Sequence, residues 1–358
     1  MAGFAFLKLV EALAALFEAA GLPEADARLC GDWLVDAEAS GVSSHGVARV
    51  SMYLDALRRG KIAARPSIAI ERPRSGVVLV DGGNGMGPVV GAAAIDQAMK
   101  AAAETGIAMA VVRRSNHYGA AAYLLRRATR AGYAAFTCSN GSPVMAVHGG
   151  ADAVISTNPL AAAFPAREAR DSLGFDMATS VAAFGKIRQA QREGKPIPDD
   201  WAVAPDGATT TDPAEAMRGA LLPVGGAKGS ALALMVEMLA GVLSGAGIGR
   251  LVGNPNDPSP EPNDVGHAFM VMDISAFMPR ADYERRAAML GEMVRGSRPA
   301  GGFDAVRLPG PGSADRRERA LADGVVLPPA AWEALENECR KLGLPLPQTL
   351  PCENLIGK

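Results

Sequence analysis

The sequence predicts a mixed α/β fold of the α+β kind, with a helical unit at its N-terminus. Two observations carry this. Residues up to about 65 repeat apolar side chains at helical spacing, whereas from Val77 onward β-branched runs alternate with helical segments and glycine-rich turns. At 358 residues the chain exceeds the roughly 250 to 300 at which single cores stop growing, so more than one packed unit is expected. The helical unit is placed at 1–65, joined by C-terminal helices within 315–358, and the α/β region at 66–314.

In the first helix Leu7, Val10, Leu13, Ala14 and Phe17 share a face, and Gly21 ends it. A second helix is predicted over 23–39 and a third over 44–59, stopped by Gly60. KIAARPSIAIERPRSG reads as a linker with a short strand. Then follow a strand (GVVLVDGG), a glycine-rich turn, a helix over 88–105, a strand (IAMAVVRR), a helix over 120–131 and a strand (YAAFTCSN). Strands near 153–155 and 160–164 precede a Pro/Asp-rich connection. An apolar helix over 230–243, a proline-rich loop over 253–264, a strand (HAFMVMDI), a helix over 281–295 and a helical tail complete the chain, with no internal repeat.

Composition excludes several classes. A chain 49% hydrophobic and 21% charged is an ordinary folded protein, and a formal net charge of −2 gives no basic excess for nucleic acid or an anionic membrane. No stretch approaches the ~18 uncharged apolar residues of a membrane span. Glu11 and Glu18 interrupt the N-terminal apolar run, which therefore reads as a folded helix rather than a signal peptide. Cys30, Cys138, Cys339 and Cys352 are too scattered for a zinc site or a disulfide scaffold, and fit reduced thiols in a cytoplasm. No His, Cys or acidic pair has metal-ligand spacing.

Asp81-Gly82-Gly83-Asn84-Gly85-Met86-Gly87-Pro88 resembles a dinucleotide-binding turn, but the G-x-G-x-x-G spacing fails at Pro88 or Val90. Arg113 and Arg114 stand where the ribose-binding acid belongs. A tight turn needing positive φ is the reading adopted.

The residues that invite chemistry are in VSSHGVARV. On a helix beginning near Ser44, His45 and Arg49 share a face and Ser44 suits the N-cap. Arg49 then suits a bidentate grip on a carboxylate, His45 a proton transfer, and Ser44 the imidazole's orientation. The spacing equally fits a capped, solvated helix start. His117, between a strand and a helix, is either a ligand at a strand end or a turn residue. STNP (156–159) and DMATS (176–180) are polar clusters that also make turns, and GGAKGS (225–230) puts Lys228 at a helix N-terminus without P-loop spacing. Without a G-x-S-x-G elbow, a hydrolase using Ser44 is set aside.

In succession, SSHGVARV, SNHYGAAAY, STNPLAAAFP, FDMATS, GKI, IPDDWAV, TTDPAEA and GGAKGSALALMVEMLAG resemble the type 2 malate/L-lactate dehydrogenase family, from about residue 5 to about 325. The resemblance implies a non-Rossmann fold, NAD or NADP as cofactor, and usually a homodimer. It implies His45 as proton donor or acceptor, Ser44 as its relay partner and Arg49 as the substrate-carboxylate ligand, with Thr157 touching substrate. His117, Tyr118, Gly119, Ala120 and Ala121 line the cofactor, although some relatives use this histidine as proton acceptor. The resemblance also implies cofactor contacts for Asp176, Met177, Ala178, Lys228, Pro309 and Gly310. The implied substrate is a small 2-oxo or 2-hydroxy acid.

Departures mark this chain. Phe184 replaces an arginine, as in ureidoglycolate-acting relatives, Ala204 replaces an aspartate, and Pro311 replaces the glutamate of a P-G-E-R turn. KGSALALM resembles reductases of cyclic imino acids such as Δ1-piperideine-2-carboxylate, which makes imine reduction the alternative. A catalytically silent binding protein is the third reading. No fingerprint acid separates NAD from NADP.

Overall fold

The computed structural model describes residues 2–169 and 172–350. Cys352 and the end of the expected C-terminal unit lie outside the described residues. The chain opens with β1 (Ala2–Phe4), α1 (Phe6–Ala19), α2 (Glu24–Ala39) and α3 (Val50–Arg58). The apolar stripes of the helices meet in one core in which Leu9, Leu13, Phe17, Trp33, Leu34, Tyr53 and Leu54 are buried.

The central sheet is built from β2 (Ala69–Arg74), β3 (Val77–Asp81), β4 (Ile107–Ser115), β5 (Tyr133–Ser139), β6 (Leu160–Phe164), β7 (Leu173–Met177) and, after two strands of a small side sheet, β10 (Val265–Asp273). Its order is β2-β3-β4-β10-β5-β6-β7. Only the β3–β4 pair runs parallel among the described residues, across α4 (Gly87–Thr105). A Rossmann sheet needs parallel neighbours joined by crossover helices. Here β10 lies antiparallel between β4 and β5, so the fold is a mixed α/β one of a different kind.

One sheet face is covered by α4 and α5 (Ala121–Arg130), whose Ile95, Leu124 and Leu125 share a core with Val80, Val112 and Phe269 of the strands. The connection after β7 holds α6 (Phe184–Glu193), β8 (Ala202–Val203), α7 (Pro213–Arg218) and β9 (Ala220–Leu221). On the opposite face lies α8 (Ala227–Val236), which continues as a π-helical turn, Glu237–Val242, and sets Val236 and Ala240 on Val111, Cys138 and Leu160. The chain ends in α9 (Arg280–Arg295), α10 (Pro311–Asp323), β11 (Val325–Leu327) and α11 (Pro329–Leu342).

Three sequence expectations change. Residues 153–155 make a single bridge from Ile155 to Met145 instead of a strand. The Pro/Asp-rich connection contains α6 and α7, whose buried apolar residues are Ile187 and Ala216, one per helix and too few for a periodic signal. Finally β1 pairs antiparallel with β11, which brings Val325, Leu327 and Leu335 into the core of the N-terminal helices. Three-residue strands leave no readable alternation. Asp36, 2% exposed, pairs with both Arg126 of α5 and Arg317 of α10 and so ties α2 to both.

Candidate active site

Ser44, His45 and Arg49 do not share an α-helical face, which corrects the reading from spacing. Ser43–His45 and Val47–Arg49 are separate 3₁₀ turns, broken at Gly46 (φ −93°, ψ −150°), and the α-helix starts only at Val50. The cause is Glu38. Its buried carboxylate accepts the Val47 N–H at 2.9 Å and lies so close to Gly46 that a Cβ there would overlap it. The break folds Arg49 back, and its Nε donates to the Ser44 carbonyl at 2.8 Å. Because Nε is engaged and Nη1 makes only a long 3.9 Å contact with Met52 Sδ, the terminal Nη1/Nη2 pair is the edge suited to grip a carboxylate. Ser44 does not cap a helix; its Oγ lies 2.9 Å from His45 Nδ1.

The kink aims His45 at the loop after β4. The rings of His45 and His117 lie 5.7 Å apart and 20° from parallel. Tyr53, one turn along α3 from Arg49, brings its hydroxyl to 2.6 Å from His117 Nδ1. Trp33 backs the Tyr53 ring at 5.1 Å. The loop closes on Trp33 through Gly119, whose φ of +65° and missing side chain leave room for the indole. Tyr118 turns the other way, buried and stacked at 4.5 Å on His267, so its backbone is what remains for a ligand. His267 is itself held between Ser139 (2.8 Å) and Ser115 (2.9 Å).

Strand register brings the other expected residues to the same end of the sheet's strands. Ser115 at the end of β4 faces Val265, Ser139 at the end of β5 faces His267, and Leu160, which follows the Thr157 segment, faces Met177. Thr179 joins them: its N–H and hydroxyl both donate to the Thr157 carbonyl, and its own carbonyl accepts from Val224 at the approach to α8. Lys228, exposed in the first turn of α8, has no ion-pair partner among the described residues. The Asp176 carboxylate accepts from Ala122 at 3.1 Å and so occupies the N-terminus of α5. Pro309 and Gly310 sit against Gly174 of β7, the Gly174 N–H donating to Pro309 at 3.0 Å.

Burial governs the protonation states. Desolvation, then the neighbouring Arg49 guanidinium, lowers His45 from 6.5 to about 4. Desolvation lowers His117 well below its ordinary value, reinforced by His45, Arg49 and His267. Burial raises Tyr53. Crowding by protein raises Asp176 although its edge reaches solvent, while backbone N–H bonds from Ala122 and Ala121 pull the other way. At neutral pH the site therefore holds two neutral imidazoles, one neutral phenol and one guanidinium. That set can bind an acid and exchange a proton with it.

Sequence reasoning missed Glu38, Tyr53 and Trp33. An acid within the apolar end of α2 was a signal for Glu38, whereas Tyr53 and Trp33 read as core. Two buried amides were also missed: Asn158 donates to Glu237 at 3.0 Å, and Asn140 to the Gly247 carbonyl at 2.7 Å, which fixes the loops beside Thr157 and Ser139. Of the departures, Phe184 opens α6 with the Arg188 guanidinium 5.6 Å from its ring, and Pro311 occupies the first turn of α10, where proline suits the backbone. Ala204 sits in a turn closed on Ala208.

Exposed Lys228 in the first turn of a helix and the exposed backbone at Gly225 just before it are a donor set that fits a dinucleotide. The malate/L-lactate dehydrogenase family model matches residues 4–336. The chain is similar to L-sulfolactate dehydrogenase of Methanocaldococcus jannaschii, 36% identical over 324 residues, covering 90% of this chain and 92% of the relative. The solved structure of sulfolactate dehydrogenase from that organism fits with a TM-score of 0.88 at 34% identity, covering 96% of this chain and 98% of the other. It is also similar to (2R)-3-sulfolactate dehydrogenase (NADP(+)) of Chromohalobacter salexigens, 35% identical over 331 residues (92% and 96% covered). With ureidoglycolate dehydrogenase (NAD(+)) of Escherichia coli the identity is 32% over 306 residues (86% and 87% covered). With a match across nearly all of its length, the chain belongs to the malate/L-lactate dehydrogenase family and is an NAD(P)-dependent oxidoreductase.

Proposed function

We propose that this chain reversibly reduces a 2-oxo acid to the 2-hydroxy acid, with His45 as proton carrier and Arg49 as carboxylate ligand. The convergence of Ser44, His45, Arg49 and His117 beyond the end of β4 is the observation that supports it. A nicotinamide held here would supply the hydride in reduction and take it in oxidation. In reduction the substrate carbon would gain that hydride, the C=O π pair would move to oxygen, and the oxygen would take the Nε2 proton of a His45 ring that has first taken up a proton from solvent, as the bound carboxylate offsets the Arg49 charge, so that the ring is left neutral. Oxidation runs the same steps backward, with neutral His45 accepting the hydroxyl proton. Ser44 holds Nδ1 so that Nε2 faces the substrate. Thr157 lines the substrate side. On the cofactor side stand Lys228, the Asp176–Ala178 segment, the backbone of 117–121 and the Pro309–Gly310 turn.

We also infer a homodimer. The outer side of α8 and its π-helical continuation exposes Leu234, Met235, Met238, Val242 and Leu243, 41 to 58% each, a stripe that a second copy would cover. His45 and His117 are half-buried, and a cavity of about 280 Å³ lies between Glu38–Gly41 and Arg316–Val326. A sedimentation mass of one chain would remove the dimer.

The second reading, cyclic imine reduction, rests on the KGSALALM run at the start of α8. The test is a panel of pyruvate, oxaloacetate, sulfopyruvate, and piperideine and pyrroline carboxylates, each with NADH and NADPH. Turnover with an oxo acid supports the first reading, turnover with imines alone supports the second, and inertness to all removes both.

A further inference from the structure

The site contains two histidines and a buried tyrosine, and the reaction needs one proton carrier. The 2.6 Å contact between Tyr53 Oη and His117 Nδ1 separates their tasks. Tyr53 is 2% exposed and its hydroxyl has no other partner among the described residues. If Nδ1–H donated to the phenol oxygen, the phenol hydrogen would be buried with no acceptor, which is costly. If the phenol donates, both groups are satisfied. The His117 hydrogen then sits on Nε2, which has no protein partner among the described residues and is not sealed from solvent.

We infer that Tyr53 is a positioning residue that holds His117 as the Nε2–H tautomer, so that His117 donates a hydrogen bond to the reacting oxygen while His45 carries the proton. The inference rests on the hydride-transfer reading of the site. His117 in this form has no lone pair at Nε2 with which to act as base. Giving up its proton would require an imidazolate, or a proton from a phenol that burial keeps neutral. His45 is under no such constraint, because its Nδ1 partner is an exposed serine whose hydroxyl rotates to donate or accept. The tyrosine is itself fixed: Trp33 backs its ring, and Gly119, two residues after His117, closes on the same indole. Helix α3, the loop after β4 and the tautomer are thus set by one packed column.

Nitrogen-15 NMR of histidine-labelled whole protein tests this without turnover, since the chain has 4 histidines and a His117→Gln spectrum assigns the one in question. The wild type should show pyridine-type Nδ1 and pyrrole-type Nε2 at His117. Tyr53→Phe should populate both tautomers and lower kcat for reduction about 10- to 100-fold, with KM changing less than about 3-fold and the His45-dependent pH profile retained. A wild-type Nδ1–H tautomer overturns the inference, as does a Tyr53→Phe protein with an unchanged tautomer or unchanged kcat. Absence of turnover with every substrate would remove the functional reading instead and leave the wild-type tautomer result standing.

Discussion

Glu38 and Gly46 are packed so closely that no side chain fits between them, and this contact shapes the site. The buried carboxylate interrupts the helix that the spacing of His45 and Arg49 suggests, and it holds the Val47 N–H. Gly46→Ala should therefore expel Glu38 from its place, lowering stability by roughly 2–4 kcal/mol and abolishing activity. Urea unfolding and turnover check this. An alanine variant of wild-type stability and rate would mean that the kink is incidental.

Arg49 is tied by Nε to the Ser44 carbonyl, and its terminal fork has only a long contact to Met52. Arg49→Lys loses both the tie and the fork, so KM for the oxo acid should rise about 10- to 100-fold while the NADH Kd stays within about 2-fold. Equal losses in both binding constants would place Arg49 outside the acid site.

Proton linkage gives a separate test through His267, which is 0% exposed with a pKa lowered by burial from 6.5 to about 3. Between these values the unfolded chain binds the proton and the native one does not, so stability is full above pH 6.5 and falls as the pH drops. By pH 5 this one group costs about 2 kcal/mol. Urea midpoints at pH 7.5 and 5.0 should separate accordingly, and His267→Gln should reduce the separation. Midpoints independent of pH would contradict the buried neutral imidazole.

The overall layering was legible because long elements such as α4 and β10 carry clear periodicity. The topology was not, since β10 enters between β4 and β5 from more than a hundred residues away, and no local pattern records a partner strand. At the site, the residue types in VSSHGVARV were readable but their geometry was not. The kink depends on Glu38, whose carboxylate meets Gly46 only once α2 has packed. Tyr53 escaped notice for the opposite reason: it sits in the apolar stripe of α3, where a tyrosine reads as core until the His117 loop is seen above it.

His45 should also show its task in the pH profiles. In the free protein its pKa is about 4, lowered by burial and by Arg49. A bound carboxylate on Arg49 offsets that cation and raises the His45 pKa. For oxidation, kcat/KM should fall only as the pH approaches about 4, while kcat falls from a higher pH. Coincident profiles would argue against the coupling.

The most direct measurement compares wild-type protein with His45→Gln under saturating NADH or NADPH and the best oxo acid of the panel. The account predicts a loss in kcat of about 100- to 10,000-fold with cofactor Kd unchanged, because the proton carrier is gone and the dinucleotide contacts remain. A His45→Gln protein turning over at the wild-type rate would contradict it.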